Sequence, residues 1–162
     1  MSTTHVETKS LKLIAKTREE IRTWIEQMQP EEKAGLSPTW LAQLDASGSI
    51  DPWIHGFVIR HQITDGVIGQ CGFKGPPTTD GTVEIAYSVA PEHQGKGYAT
   101  EAAAALVGYA FEHGQVRLVR AHTLPEANAS TRVLTKCGFR HIGEVIEPED
   151  GVVWRWEISH RP

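Results

Sequence analysis

Cysteine is nearly absent from this chain. Cys71 and Cys137 are the only two in 162 residues, far apart and without a Cys-x-x-Cys spacing, so neither a disulfide framework nor a zinc site is suggested. No apolar run approaches the ~20 residues that a membrane-spanning helix needs. The polar start, Met1-Ser2-Thr3-Thr4-His5, lacks the charged-then-apolar layout of a signal peptide. An excess of basic residues is missing too: 16 Lys and Arg stand against 20 Asp and Glu, a net charge of −4. That argues against a broad nucleic-acid surface, though not against a local basic patch. The eight histidines show no His-Glu-x-x-His or comparable ligand spacing, so no metal is expected and most are read as surface groups. These absences lead to the expectation of a cytoplasmic protein with reduced thiols and with neither a membrane nor a nucleic acid as partner.

What is present describes an ordinary globular chain. Hydrophobic residues make up 40% and charged residues 22%, and the length suits one domain spanning residues 1–162. Leu11-Lys12-Leu13-Ile14 reads as an opening strand. Thr17 and Glu20 form a capping box for a helix carrying Ile21, Trp24, Ile25 and Met28, with Pro30 read as its end. Ser37-Pro38 starts a second helix. Strands are expected over Trp53–Arg60, Val67–Lys74 and Thr82–Val89, the first two joined by a turn at Asp65-Gly66. A helix from about Gly97 to Glu112, a strand over Val116–His122, a short helix over Asn128–Lys136 and a closing hairpin (Val145–Ile146 and Val152–Ile158) complete the order. Hairpin-linked strands followed by crossover helices imply an α/β or α+β chain with a mixed sheet covered on both faces.

The chain is organised around one stretch, Val89-Ala90-Pro91-Glu92-His93-Gln94-Gly95-Lys96-Gly97-Tyr98-Ala99-Thr100-Glu101-Ala102. A strand ends at Val89, a turn with two close glycines follows, and an alanine-rich helix begins. Such glycines let backbone N–H groups face a ligand, and a helix N-terminus favours a phosphate. The glycines alone fit equally an ordinary strand-to-helix turn. The spacing is neither a P-loop nor a good dinucleotide fingerprint.

Gln94-x-x-Gly97-x-Ala99, directly after a strand and Val-x-Pro, resembles the acetyl-CoA signature of the GNAT superfamily of N-acetyltransferases. The run Gly95 to Ala102 is most similar to the Rim-type branch, the ribosomal-protein alanine acetyltransferases and their relatives. The resemblance covers nearly the whole chain and implies a three-layer fold with a central, mostly antiparallel mixed sheet. It implies acetyl-CoA as cosubstrate, with Gln94, Gly95, Lys96, Gly97, Tyr98, Ala99 and Thr100 on the pyrophosphate. It also implies Val89 guiding the pantetheine through its main chain, because this strand splays from the next in the family.

Alternation puts Glu84, Ala86 and Ser88 on one strand face, where a covered carboxylate lines a cavity or is paired, and otherwise lies near an exposed strand end. The segment Glu84-Ile85-Ala86-Tyr87 resembles the place where Rim-type enzymes carry a general base. Asn128 suits a helix N-cap, while Asn128, Ser130, Leu134, Gly138 and Phe139 resemble a family pattern. That pattern implies cofactor binding by Asn128 and protonation of the leaving thiolate by Ser130, where other members use a tyrosine.

The implied activity is direct acetyl transfer in a ternary complex to a primary amine, either a protein N-terminus or a small molecule, by a monomer or homodimer. A non-catalytic acyl-CoA-binding domain is the alternative, and transfer to charged tRNA is disfavoured by the acidic balance. The acceptor pocket is expected from the first two helices, the Gly75–Gly81 loop and the closing hairpin, with tryptophans helping to shape it.

Overall fold

The computed structural model describes residues 5–160. Residues 1–4, on which the reading of the polar start rests, lie outside the described residues. Period-two burial sets the sheet: in β2 (Leu11–Ala15), Leu11, Leu13 and Ala15 are buried while Lys12 and Ile14 are only partly so. The same pattern runs through β3 (Phe57–His61) and β6 (Leu118–Thr123), and through the first half of β5 (Thr82–Val89). With β1 (His5–Glu7), β4 (Val67–Phe73), β7 (Arg140–Glu147) and β8 (Gly151–Ser159) they make one eight-stranded sheet. Its order is β1-β2-β3-β4-β5-β6-β8-β7. Every neighbouring pair is antiparallel except β5–β6, so the mixed, mostly antiparallel sheet expected from the sequence is present.

Helices flank the sheet. α5 (Tyr98–Phe111) lays Ala102, Ala103, Leu106 and Ala110 against it, all four fully buried. Three of these are alanine, which lets the helix axis approach the strands closely. The shared core includes Phe57, Ile59, Val83, Ile85 and Val119, and α6 (Ala129–Lys136) adds Leu134 to it. A smaller cluster, Ile21, Leu44 and Ile54, ties α1 (Arg18–Glu26) to α3 (Pro38–Ala46) and α4 (Pro52–His55).

Some expected boundaries move for identifiable reasons. Pro30 does not end the first helix; α1 stops at Glu26, and Pro30 opens a further helix, α2 (Pro30–Ala34), at the N1 position that proline favours. Trp53 is not in a strand. Asp51 accepts the Trp53 N–H at 3.1 Å, Pro52 fills N1, and α4 runs to His55 before Gly56, at φ 72°, turns the chain into β3. The short β1 was not anticipated, and β7 begins at Arg140, five residues before the Val145 expected from hydrophobicity, because its early residues are mostly exposed.

Candidate active site

The site begins where two parallel strands part. β5 pairs with β6 only over Thr82, Val83 and Glu84, although β5 continues to Val89 and β6 to Thr123. On its other edge β5 stays in register with β4, with Gln70 opposite Ser88 and Gly69 opposite Val89. Ala90 donates to the Ile68 carbonyl and Lys74 to the Glu84 carbonyl. In an antiparallel ladder bonded and non-bonded pairs alternate, so Tyr87 and Val89 turn their main-chain groups away from β4 and into the gap. The Val89 carbonyl is taken there by Gln94 Nε2 at 2.9 Å, which leaves the Val89 N–H facing the opening.

Beyond the gap lies the glycine turn. Gly95 and Gly97 have φ of 78° and 84°, and a Cβ on either would point into open space. Their constraint is therefore backbone conformation rather than crowding. The Gln94 and Glu101 N–H groups reach backbone carbonyls, but the six amides from Gly95 to Thr100 find no acceptor among the described residues. Four of these residues, Gly95, Gly97, Ala99 and Thr100, border a cavity of about 430 Å³, with Val89 and Gln94 on the same side. Ser130, Arg132 and Lys136 of α6 line the other. Unsatisfied amides, a helix N-terminus and two cations suit a pyrophosphate. The apolar stretch past Val89 and Val133 suits an extended arm such as pantetheine.

A second cavity, about 120 Å³, occupies the gap itself, between Glu84, Ala86 and Tyr87 of β5 and Ala121 and His122 of β6. Glu84 Oε2 lies 2.9 Å from His122 Nδ1 and 3.2 Å from Lys74 Nζ. Arg155 Nε lies 3.1 Å from His122 Nε2, and because the Glu84 carboxylate can only accept, the ring donates its Nδ1–H to Glu84. Glu147 Oε1 accepts from Arg155 at 2.8 Å and lies 3.1 Å from the same His122 nitrogen. The His122 side chain is only 4% exposed. Burial works against the Lys74 charge, yet the Glu84 and Asp150 carboxylates outweigh it and hold that lysine above the ordinary range.

A third cavity, about 290 Å³, opens on the side of α1, α3 and α4. Trp24, Trp40 and Ile54 form walls, and Lys16, Gln70 and Ser88 face it as well. Its floor is bare backbone: a Cβ on Gly72 would sit 2.8 Å from Gly56 Cα. Tyr87 borders all three cavities, and Ser88 joins this one to the glycine-turn cavity. Burial pushes the Tyr87 phenol up to about 12, and its hydroxyl points to the Ser130 carbonyl at 3.5 Å.

The residues singled out in the sequence are distributed unevenly. Glu84, Val89, Gln94, Gly95, Gly97, Ala99, Thr100 and Ser130 come together around the connected cavities. Lys96 is exposed beside the turn without lining the cavity, and Tyr98 packs edge-on against His61. Asn128 is the N-cap of α6: its Oδ1 accepts the Thr131 N–H at 3.0 Å, and it borders none of the three cavities. Trp24 and Trp40 line the third cavity, whereas Trp53 packs edge-on against Phe73 and Trp156 is buried with its N–H on Thr123. The Gly75–Gly81 loop does not reach it, and the closing hairpin instead borders Glu84 through Glu147 and Asp150.

Sequence reasoning missed Tyr87, which alternation sets on the strand face opposite Glu84, and Arg132 and Lys136, an i, i+4 pair sharing one face of α6. It read most histidines as surface groups without singling out His55 and the His122 side chain, which are buried.

A splayed parallel pair ending in a glycine turn and a helix N-terminus is the arrangement of an acyl-CoA-handling fold. The chain belongs to the acetyltransferase (GNAT) domain family, which it matches over residues 3–140. It is 34% identical over 95 residues to an uncharacterized N-acetyltransferase, p20, of Bacillus licheniformis, covering 59% of this chain and 53% of that protein. The chain thus spans between half and two thirds of the length of this and two other curated relatives it matches. A putative ribosomal-protein-serine acetyltransferase from Vibrio cholerae superposes with a TM-score of 0.66 at 18% identity, over 99% of this chain and all of that one. The aminoglycoside acetyltransferase AAC(6')-Ib, solved with coenzyme A, gives a TM-score of 0.64 at 19% identity over 93% of this chain and 95% of that one. These structural likenesses show the fold.

Proposed function

We propose that the protein is an N-acetyltransferase that moves an acetyl group from acetyl-CoA to a primary amine by direct attack in a ternary complex. The observation that carries this is the convergence of three cavities on the last residues of β5, with a carboxylate in one of them. The amides of Gly95 to Thr100, with Arg132 and Lys136, hold the pyrophosphate; Val89 directs the pantetheine to Tyr87 and Ser130. Bound there, acetyl-CoA supplies the acetyl group as an activated thioester.

Each remaining task falls to a residue of the chain. Glu84 takes the proton that the amine must lose, directly or through a water. Lys74 and His122 both approach its Oε2, so Oε1 is the oxygen that serves the amine. The Val89 N–H, turned into the gap, stabilises the oxyanion as the new C–N bond forms. The Tyr87 and Ser130 hydroxyls donate to the sulfur as the C–S bond breaks. A thiol with a reference pKa of about 8.5 leaves readily as thiolate, so hydrogen bonding suffices without full proton transfer.

The Rim-type likeness of Gly95 to Ala102 and the ribosomal-protein-serine acetyltransferase among the structural neighbours keep a protein N-terminus within the acceptor class. Free thiol released from acetyl-CoA in the presence of primary amines and N-terminal peptides is the test. Acetyl-CoA binding with no acceptor-dependent thiol release would instead identify a non-catalytic acyl-CoA-binding domain.

A further inference from the structure

The third cavity carries a charge pattern that narrows the acceptor. Lys16 is the only Lys, Arg, Asp or Glu among its lining residues. Its ammonium donates to Gln70 Oε1 at 2.6 Å and makes no ion pair among the described residues. Lys74, which lines the gap cavity, by contrast has two carboxylates within 3.5 Å. Burial disfavours the Lys16 charge, and Glu20 favours it only from a distance. The neighbouring groups offer no counter-charge. Burial pushes the Cys71 thiol up to about 12, and His55 is engaged by Ser47 Oγ at 2.9 Å and the Asp51 N–H at 3.0 Å. A partly buried ammonium left with an amide carbonyl attracts an anion, because the desolvation already incurred makes a charge-assisted bond strong.

The walls are aromatic and flat. Trp24 is 51% exposed at the mouth, and Trp40 is held by its indole N–H on the Ile54 carbonyl at 3.2 Å. Gln70 faces Ser88 across the β4–β5 ladder, a spacing of about 5 Å between directly opposed residues. Lys16 thus bonds the side chain directly opposite Ser88, which borders both this cavity and the glycine-turn cavity.

We infer that the acceptor is a small aromatic amine bearing a carboxylate, an aromatic amino acid or close relative, with its carboxylate on Lys16 and its ring against Trp24 and Trp40. This rests on the acetyl-transfer reading above. A polycationic acceptor is disfavoured, since its extra ammonium groups would meet Lys16 and no carboxylate.

The experiment compares matched pairs at fixed acetyl-CoA, with thiol release as readout: L-phenylalanine against phenethylamine, L-tryptophan against tryptamine, with phenylalanyl peptide amides and spermidine alongside. The carboxylate-bearing member of each pair is expected to have a kcat/KM about 10–100-fold higher, the worth of one charge-assisted contact. Lys16→Met brings that ratio near one by raising KM for the amino acid alone, and Lys16→Arg retains it. In parallel, quenching of indole fluorescence by 3-phenylpropionate measures the cavity without turnover, and both Lys16→Met and Trp24→Ala weaken it. Trp24 is exposed enough for its variant to fold. Equal or better turnover of the decarboxylated amines, the peptides or spermidine overturns this assignment while acetyl transfer stands. Lys16-dependent binding of 3-phenylpropionate without acetylation of any amine supports the carboxylate site and overturns acetyl transfer. Absence of both binding and preference overturns the assignment outright.

Discussion

Replacing Glu84 by Gln removes a charge at constant shape, so the effects on stability and on rate separate cleanly. On the stability side two contacts change. The Lys74 ion pair is half exposed, and such pairs contribute about 0–1 kcal/mol. The bond from His122 Nδ1 survives, because a Gln carbonyl accepts it, but it drops from a charged to a neutral acceptor, a loss of about 1–2 kcal/mol. The sum, about 1–3 kcal/mol, lowers Tm by about 2–10 °C in a domain of this size. On the rate side a general base contributes about 10²–10⁴-fold, equivalent to about 3–5 kcal/mol of barrier. Glu84 does not line the glycine-turn cavity, so affinity for acetyl-CoA stays within about twofold of the parent. Steady-state thiol release, calorimetric titration with acetyl-CoA and thermal unfolding measure the three quantities on one preparation. A fall in kcat of less than tenfold, in a variant that still binds acetyl-CoA and unfolds cooperatively, would refute the base assignment. It would leave Glu84 as the structural partner of Lys74 and His122.

Gly97→Val tests the donor cradle. At φ 84° a β-branched residue is strained by about 1–3 kcal/mol, and its side chain enters the space a phosphate would take. Acetyl-CoA affinity should fall by at least about tenfold, with a Tm drop of about 2–10 °C; unchanged affinity in calorimetric titration would move the pyrophosphate elsewhere. His55 should give acid sensitivity. Burial lowers its pKa, against smaller opposing contributions from the Lys16 carbonyl and Asp51, while Arg18 lowers it further. Because the unfolded chain binds the proton more tightly, the stabilisation is full above about pH 6.5 and is lost as pH falls through the lower folded value. Protonation would also break the bond that His55 Nδ1 accepts from the Asp51 N–H. Unfolding temperatures measured between pH 7.5 and 5 on the parent and on His55→Asn should converge as pH falls; parallel curves would contradict the assignment.

Features that depend on neighbours in sequence were legible. The capping box of Thr17 and Glu20, the strand Thr82–Val89 and the glycine turn into α5 all formed where their local chemistry placed them. The α4 turn was equally local, since Asp51-Pro52 is an N-cap followed by proline at N1. The β-favouring side chains of Trp53 and Ile54, running straight into Phe57–Ile59, mask it in a propensity reading. The Glu84–His122 pair lies beyond such reasoning. The two residues are 38 apart, and they meet because β5 and β6 pair in parallel for three residues and then diverge. Hydrophobic alternation identifies both strands without giving that register. The same holds for Arg132 and Lys136, whose helix faces the glycine turn only after β6 has crossed to the far side of β5.

This difference explains why the donor half of the site is readable and the acceptor half is not. The donor cradle is made largely of backbone from one continuous stretch, Val89 to Thr100, and backbone recognition leaves a mark in sequence as glycines at fixed spacing. The cavity proposed for the acceptor draws its side chains from Lys16 just past β2 and from α1, α3, α4, β4 and β5, with Lys16 meeting Gln70 across 54 residues. Each of those residues taken singly has an ordinary explanation as a strand end, a helix face or an edge. Only their assembly shows that one cation faces two indoles with no carboxylate among them. On the proposed assignment, substrate choice follows from the packing of α1, α3 and α4 on the sheet, and it can change without altering any residue of the glycine turn.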